Sequence, residues 1–292
     1  MIGVDWGTSS FRAFRLDAAG DIRARREAPL GILRVEPGGF AAALRGEIAA
    51  WLADGEDRVL LAGMVGSRQG WQEAAYLPCP AGAADFARAL ADVPFEGARV
   101  RLVPGLSAAD AAGIPEVMRG EETQLVGALA RIGDSGLVCL PGSHSKWARI
   151  VEGRIAGYTT HLTGEAYAAL RGHTILGRMM RDGPTDLAAF DAGVARAADA
   201  GGLLHQLFGV RTLGLFGRLP EAAAASYLSG LLIGHEVRAA MPAATAVHLI
   251  GAPDLCALYA RAIAAAGGHT IPHDADAAAR GLALIGGLAQ WD

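Results

Sequence analysis

The sequence predicts an α/β protein built from two similar lobes. Three observations carry that expectation. One layout of strand, polar turn, strand, glycine-bearing turn, strand and helix opens the chain and restarts near residue 136. Short apolar runs such as "RVLLAGM" and "AVHLIG" are bounded by turns and alternate with helical patterns, as strands buried in a sheet do. No long linker separates the two copies, so the lobes, 1–133 and 134–292, are expected to pack face to face around a cleft.

The elements follow in order. "MIGVDWGTSSFRAFRLDAAGDIRARREA" reads as three strands joined by two polar turns. "GGFAAALRGEIAAWL" is an amphipathic helix and "RVLLAGM" a buried strand. A Pro-rich loop, a helix near Ala83 to Ala91 and the strand "ARVRLVPG" come next. "RGEETQLVGALARI" is a helix opening near Gly120 and capped at Gly133. The second copy, "GLVCLPGSHSKWARIVEGRIAGYTTHLTGE", gives three strands and a helix opening at Thr163 to Glu165. A helical insertion spans about 184–205, and a long helix runs from Pro220 to Ala240. "AVHLIGAPD" passes from strand to helix, "HTIPHD" is a short strand, and "DADAAARGLALIGGLAQW" is a closing helix.

Composition narrows the function classes. Hydrophobic residues make up 52% and charged residues 19% of 292, with a net charge of -4. That balance describes a globular protein without the basic field that nucleic acid or an anionic membrane would select. Cys79, Cys139 and Cys256 are few and far apart, which points to a reduced, cytoplasmic protein with neither a disulfide framework nor a zinc site. Asp5 follows only four residues, so no secretory signal is read at the N-terminus, and the apolar runs are too short to span a bilayer.

Two turns carry the chemistry. In "VDWGTSS" a strand delivers Asp5 to a turn where Gly7 admits a ligand close to the backbone and Thr8, Ser9 and Ser10 offer hydroxyls and amides. Such a turn suits phosphate, and Asp5 beside it suits a hydrated Mg²⁺. The same residues also make an ordinary hairpin. "CLPGSHSKW" occupies the matching place in the second copy, with Gly142, Ser143, His144 and Ser145, and with Lys146, the only lysine of the chain. A coding preference for arginine explains most of the bias, but not why one compact ammonium is kept at this turn. The segment runs on into a strand, which sets it apart from a P-loop.

The acceptor side reads from "GMVGSRQGW". It sits at the C-terminal end of a buried strand, where open sheets place ligand loops. After Gly66, Ser67, Arg68 and Gln69 offer the hydrogen bonds a polyol wants, Arg68 can also pair with a carboxylate, and Trp71 can pack on the carbon face of a sugar, so Gly66 to Trp71 is read as the substrate loop. "RGEETQ" puts Glu121 and Glu122 at a helix N-terminus, where the dipole favours ionised carboxylates whether or not either is a catalytic base. Arg119 suits a substrate carboxylate or an acidic partner, and Glu165 in "LTGE" is a third carboxylate candidate.

Together "VDWGTSS", "GMVGSRQGW", "YLPCP", "VMRGEETQLVGAL" and "CLPGSHSKW" resemble the 2-dehydro-3-deoxygalactonokinase family of the actin-like ATPase superfamily. The resemblance implies an actin-like (ribonuclease H-like) α/β fold with a mixed five-stranded sheet in each lobe. It implies ATP and Mg²⁺ in the interlobe cleft, with phosphates against Asp5, Gly7 to Ser10 and Gly142 to Lys146, and lobe closure that excludes water. The superfamily's adenosine loop matches Gly251, Ala252 and Asp254, although its second glycine is Ala252 here, and Pro141 stands where many members have aspartate. Trp6 and the "GMVGSRQGW" loop fall on the acceptor side, with Arg119 and Glu165. By similarity to FGGY carbohydrate kinases the base falls on Glu121, with the adjacent Glu122 as alternative.

The implied activity is phosphorylation of the terminal hydroxyl of 2-dehydro-3-deoxygalactonate in galactonate catabolism. The partners are that sugar acid and ATP, a homodimer being left open. The rivals are a kinase of the same superfamily for another sugar or sugar acid, and a non-catalytic actin-like sensor.

Overall fold

A computed structural model of the chain describes residues 1–291. The backbone separates into two units. The first comprises Met1–Ser135, Arg149–Tyr158 and the chain from Asp274 onward; the second comprises Gly136–Ala148 and Thr159–His273. The sequence reading divides the chain once, at residue 133, whereas the last helix and the tip of a later hairpin group with the first unit.

The first unit starts with strands β1 (Ile2–Trp6), β2 (Phe11–Leu16) and β3 (Ile22–Ala28), helix α1 (Phe40–Ala53) and strand β4 (Arg58–Ala62). It continues through β5 (Tyr76–Pro78), α2 (Ala83–Arg88), β6 (Ala91–Val93), β7 (Arg99–Leu102), β8 (Gly105–Ala109), β9 (Pro115–Met118) and α3 (Glu121–Ile132). Next come β10 (Ser135–Leu140), β11 (Ser145–Val151), β12 (Arg154–His161) and α4 (Thr163–His173). After these, α5 (Leu187–Arg196), α6 (Gly202–Leu215), α7 (Glu221–Ala240), β13 (Ala246–Leu249), α8 (Pro253–Ala265), β14 (His269–Pro272) and α9 (Ala277–Leu288) complete the chain.

The duplication seen in the sequence is a duplication of topology. One sheet has the order β3-β2-β1-β4-β7-β6 and the other β12-β11-β10-β13-β14. In the first, β1 runs antiparallel to β2 and parallel to β4, so Asp5 lies between Arg12 and Ala62. This register is what brings a carboxylate to the C-terminal end of the central strand. Apolar side chains of β1, β4 and α1, among them Val4, Leu61 and Leu44, form one core; Phe190, Val237 and Tyr259 belong to a core of the second unit.

Three features differ from expectation. The helix read to Ala91 stops at Arg88, because 91–93 pair antiparallel with β7 and add a sixth strand to the expected five. A further sheet, β5-β8-β9, is assembled from segments too short and too rich in Pro and Gly to show a strand period. The insertion read as one helical stretch is α5 and the start of α6, parted before Gly201, whose φ of 112° is left-handed and suits glycine at the start of α6. Among the described residues no helix is long and apolar enough to cross a membrane.

Candidate active site

In the first unit the ends of β1 and β4 and the start of α3 converge. The turn after β1 is closed by the Gly7 amide donating to the Ser10 carbonyl at 2.9 Å, and Thr8, Ser9 and Ser10 are exposed. Beneath it the Ile32 amide donates to the Gly7 carbonyl at 3.0 Å. Gly31 is so close that a Cβ there would overlap Thr8 and Ser9, whereas a Cβ on Gly7 itself would make only ordinary contact, 3.7 Å from Ser10. Packing thus demands the glycine under the turn and leaves the one in it free for another purpose.

Asp5 is 9% exposed and its carboxylate pairs with Arg12. A Cβ on Gly63, just after β4, would lie 3.2 Å from Asp5 Oδ1, and one on Gly120 would lie 3.3 Å from Gly63 Cα. The turn read for phosphate, the loop read for the acceptor and the candidate base therefore share one corner of this unit. Among the described residues no group of three or more His, Cys, Asp or Glu side chains could hold a metal by itself. A single carboxylate still fits nucleotide-borne Mg²⁺, which takes most of its ligands from phosphate and water.

The two glutamates at α3 are unlike. Glu121 Oε2 accepts the Arg119 amide at 3.1 Å, and the residue is half-buried. Glu122 is 0% exposed, accepts the Gly120 amide at 2.6 Å and the Thr123 hydroxyl at 3.2 Å, and its carboxyl is pushed up to about 8, first by burial and then by neighbouring Glu121. A general base must reach the acceptor hydroxyl, and only Glu121 has surface with which to do so.

The acceptor loop is partly a scaffold. Gly66 is buried, Ser67 Oγ donates to the Met64 carbonyl at 2.8 Å, and Trp71 stacks on Phe40 with ring centroids 6.3 Å apart. Gln69 is exposed, and Arg68, with 86% of its side chain exposed, pairs with Glu73 at 2.9 Å. Trp6, expected on the acceptor side, is a core residue: it is wholly buried, and its indole donates to the Leu30 carbonyl at 2.7 Å. Both faces of β1 are covered, so this side chain has no exposed direction to take.

The second unit repeats the braced turn. The Glu165 amide donates to the Ser143 carbonyl at 3.1 Å, and a Cβ on Gly164 would come within 2.6 Å of the Gly142 carbonyl oxygen and 2.7 Å of Ser143 Cα. Gly142 itself has open space where a Cβ would stand. The hydroxyl of Ser145, expected to point at phosphate, is turned inward. Ser145 Oγ lies 2.7 Å from the Tyr259 hydroxyl, which donates to Glu236 Oε2 at 2.6 Å, while the Trp147 indole donates to Glu236 Oε1 at 2.8 Å. Burial and Glu236 raise the Tyr259 phenol far above its ordinary value, so it stays protonated and donates. Lys146 is 5% exposed and donates to Thr160 Oγ1 at 3.0 Å.

His144 and Glu165 are both exposed and pair with each other. Gly251 follows β13 and lies against Pro141, where a Cβ would be 3.6 Å from the proline ring; Ala252 caps α8 and Asp254 is exposed in its first turn. A pocket of about 470 Å³ opens from Gly142 and Ser143 and is walled by Phe190, Leu232, Leu255 and Leu258.

The sequence pattern of the 2-keto-3-deoxy-galactonokinase family matches residues 5–285. This chain belongs to that family. It is 38% identical to a Rhizobium meliloti protein named a "probable 2-dehydro-3-deoxygalactonokinase", over 99% of this chain and 96% of that one. It is 34% identical to the 2-dehydro-3-deoxygalactonokinase of Escherichia coli, over 91% and 90%. A crystal structure from Sinorhizobium meliloti, assigned to the same activity, superposes with a TM-score of 0.90 at 37% identity over 97% of both chains. The Clostridium difficile activator of 2-hydroxyisocaproyl-CoA dehydratase reaches 0.51 at 12% identity over 97% and 92%, a likeness of fold alone. The fold is that of the actin-like ATPases.

Several residues that shape this galactonokinase-family site were not anticipated. Gly31 and Gly164 carry no local signal, because the clash that requires glycine comes from a segment distant in the chain. Glu236 left a faint mark, a single acid within the apolar run "LLIGHEV" of α7.

Proposed function

We propose that the protein is an ATP-dependent kinase that phosphorylates the terminal hydroxyl of 2-dehydro-3-deoxygalactonate in the cytoplasm. The carrying observation is the family match from residue 5 to residue 285, which takes in both braced turns and the Glu121 helix start. Three free cysteines accord with a reducing compartment.

The roles follow from the chemistry of each group. In the second unit the pocket suits the nucleoside, its apolar walls covering the base, and the Gly142–Ser143 backbone that lines it suits the phosphates. In the first unit Glu121 would take the proton of the attacking hydroxyl, and the Gly7–Ser10 turn would offer amides to developing phosphate charge. Asp5 is the residue that would hold Mg²⁺ through water; the ion's contribution is neutralisation of phosphate charge. Glu122, buried and protonated near neutral pH, holds the Gly120 amide and thereby the start of α3.

Purified protein with ATP and a panel of sugar acids, aldoses and ketoses, followed by ADP release and product mass, tests the reading. Phosphate on 2-dehydro-3-deoxygalactonate with the highest kcat/KM supports it. Preference for another acceptor would move the substrate assignment, and no transfer to any would leave a nucleotide or sugar sensor.

A further inference from the structure

A buried charge with unused donors is the most unusual polar feature of the first unit. Arg119 is 8% exposed. Its Nη2 donates to the Ala74 carbonyl at 2.7 Å, and its guanidinium lies 4.4 Å from the Tyr76 ring centroid. Nε and Nη1 are buried without a hydrogen-bond partner, and among the described residues no carboxylate pairs with this side chain. Removing a guanidinium from water without an anionic partner is costly, and a fold that keeps one so has reason to supply the anion from outside.

The surroundings say which site that anion enters. Nη1 points into the acceptor loop, 3.0 Å from where a Cβ on Gly66 would stand, and Ala74 closes the same loop. The Arg119 and Gly120 amides hold Glu121 and Glu122, so the guanidinium and the candidate base spring from adjacent residues. Tyr76 covers one face: it is 40% exposed and lies against Gly105, where a Cβ would come within 2.6 Å of the ring. Of the two arginines that the sequence offered for a carboxylate, Arg68 is already paired with Glu73 in solvent.

We propose that Arg119, covered by Tyr76, reads the carboxylate of the acceptor, donating to it from an unpartnered nitrogen and the remaining Nη2 hydrogen once the Tyr76 ring swings aside, and so selects sugar acids over neutral sugars of equal length. The inference rests on the kinase reading for the identity of the acceptor. A planar fork with two adjacent donors matches a carboxylate in bidentate fashion, which lysine cannot reproduce.

The test compares 2-dehydro-3-deoxygalactonate with its carboxamide in wild type, Arg119→Lys, Arg119→Met and Gly66→Ala, by calorimetric binding and by steady-state kinetics. Wild type should bind the acid more tightly than the amide. The Arg119 variants should raise the dissociation constant and KM for the acid about tenfold to a hundredfold, leaving the amide and the KM for ATP unchanged. Gly66→Ala, which retains the charge but crowds Nη1, should shift the same quantities in the same direction, and it keeps the test open if Arg119 variants misfold. Equal wild-type affinity for acid and amide, or variants that weaken both alike, would overturn the proposal. Tight, acid-selective binding with no phosphoryl transfer would instead sink the kinase reading and leave Arg119 in place.

Discussion

The hydroxyl of Ser145 meets the hydroxyl of Tyr259 at 2.7 Å inside the second unit, and neither is exposed. Through Tyr259 and Glu236 this contact ties the base of a surface turn to helices α8 and α7. Tyr259→Phe deletes the link and leaves Ser145 Oγ and one Glu236 oxygen each short of a hydrogen bond. Stability should fall by about 1–3 kcal/mol, read as a lower urea midpoint with unchanged slope. The KM for ATP should rise while that for the sugar acid stays constant; a rise in both would show general loosening rather than loss of the turn.

The lone lysine sits on the opposite face of β11 from that network, bonded to Thr160. Lys146→Met should raise the KM for ATP or lower kcat, and Thr160→Val should do the same to a smaller degree. A double-mutant cycle on stability should return a coupling of about 0.5–1.5 kcal/mol. Lys146→Arg overfills the site and should cost about 1–3 kcal/mol. Full stability and activity in Lys146→Arg would show that the lysine is an accident of coding.

Glu121→Gln should lower kcat by about 10²–10⁴ with ATP binding intact, the usual worth of a positioned base. Normal turnover would remove Glu121 from the mechanism.

Glu122 gives a signature in pH. Its carboxyl has an ordinary value of 4.5 and titrates near about 8 in the fold, so the folded state retains a proton that the unfolded chain has released. Stability should therefore fall as pH rises between those values, with a slope approaching about 1.4 kcal/mol per unit from this group, and flatten above. Glu122→Gln should remove that slope while keeping most activity at neutral pH. An unchanged stability profile would mean the carboxyl is ionised throughout.

The paired glycines separate packing from ligand approach. Gly31→Ala collides with Thr8 and Ser9 and should destabilise by about 1–3 kcal/mol. Gly142→Ala meets nothing within 4 Å and should leave the melting temperature unaltered. If the nucleotide's phosphates approach that backbone, Gly142→Ala nonetheless raises the KM for ATP; unaltered kinetics would release Gly142 from phosphate binding.

Much of the fold was legible because its signals are local. The polar turns bounding β1 to β3 and the glycines bounding α3 are properties of neighbouring residues. The β5-β8-β9 sheet was not, since pairings between short segments far apart in sequence leave no period behind. The site was legible in position more than in orientation. "GSHSKW" suggests side chains presented outward, yet β11 lies inside its sheet with both faces covered, so Ser145, Lys146 and Trp147 are all buried. Arg68 and Arg119 are equivalent as letters, and only burial distinguishes a solvated ion pair from an unpaired internal charge.

Helix α9 docks on α3 so tightly that a Cβ on Gly127 would overlap Ala277 and one on Gly281 would overlap Thr123. Both helices belong to the first unit, whereas the second unit is complete at His273. The core of the first unit is therefore closed by a segment that follows the second unit in sequence. Contacts of that sequence separation are the slow kind to form, so the seam between α3 and α9 sets a long-range step in folding the first unit.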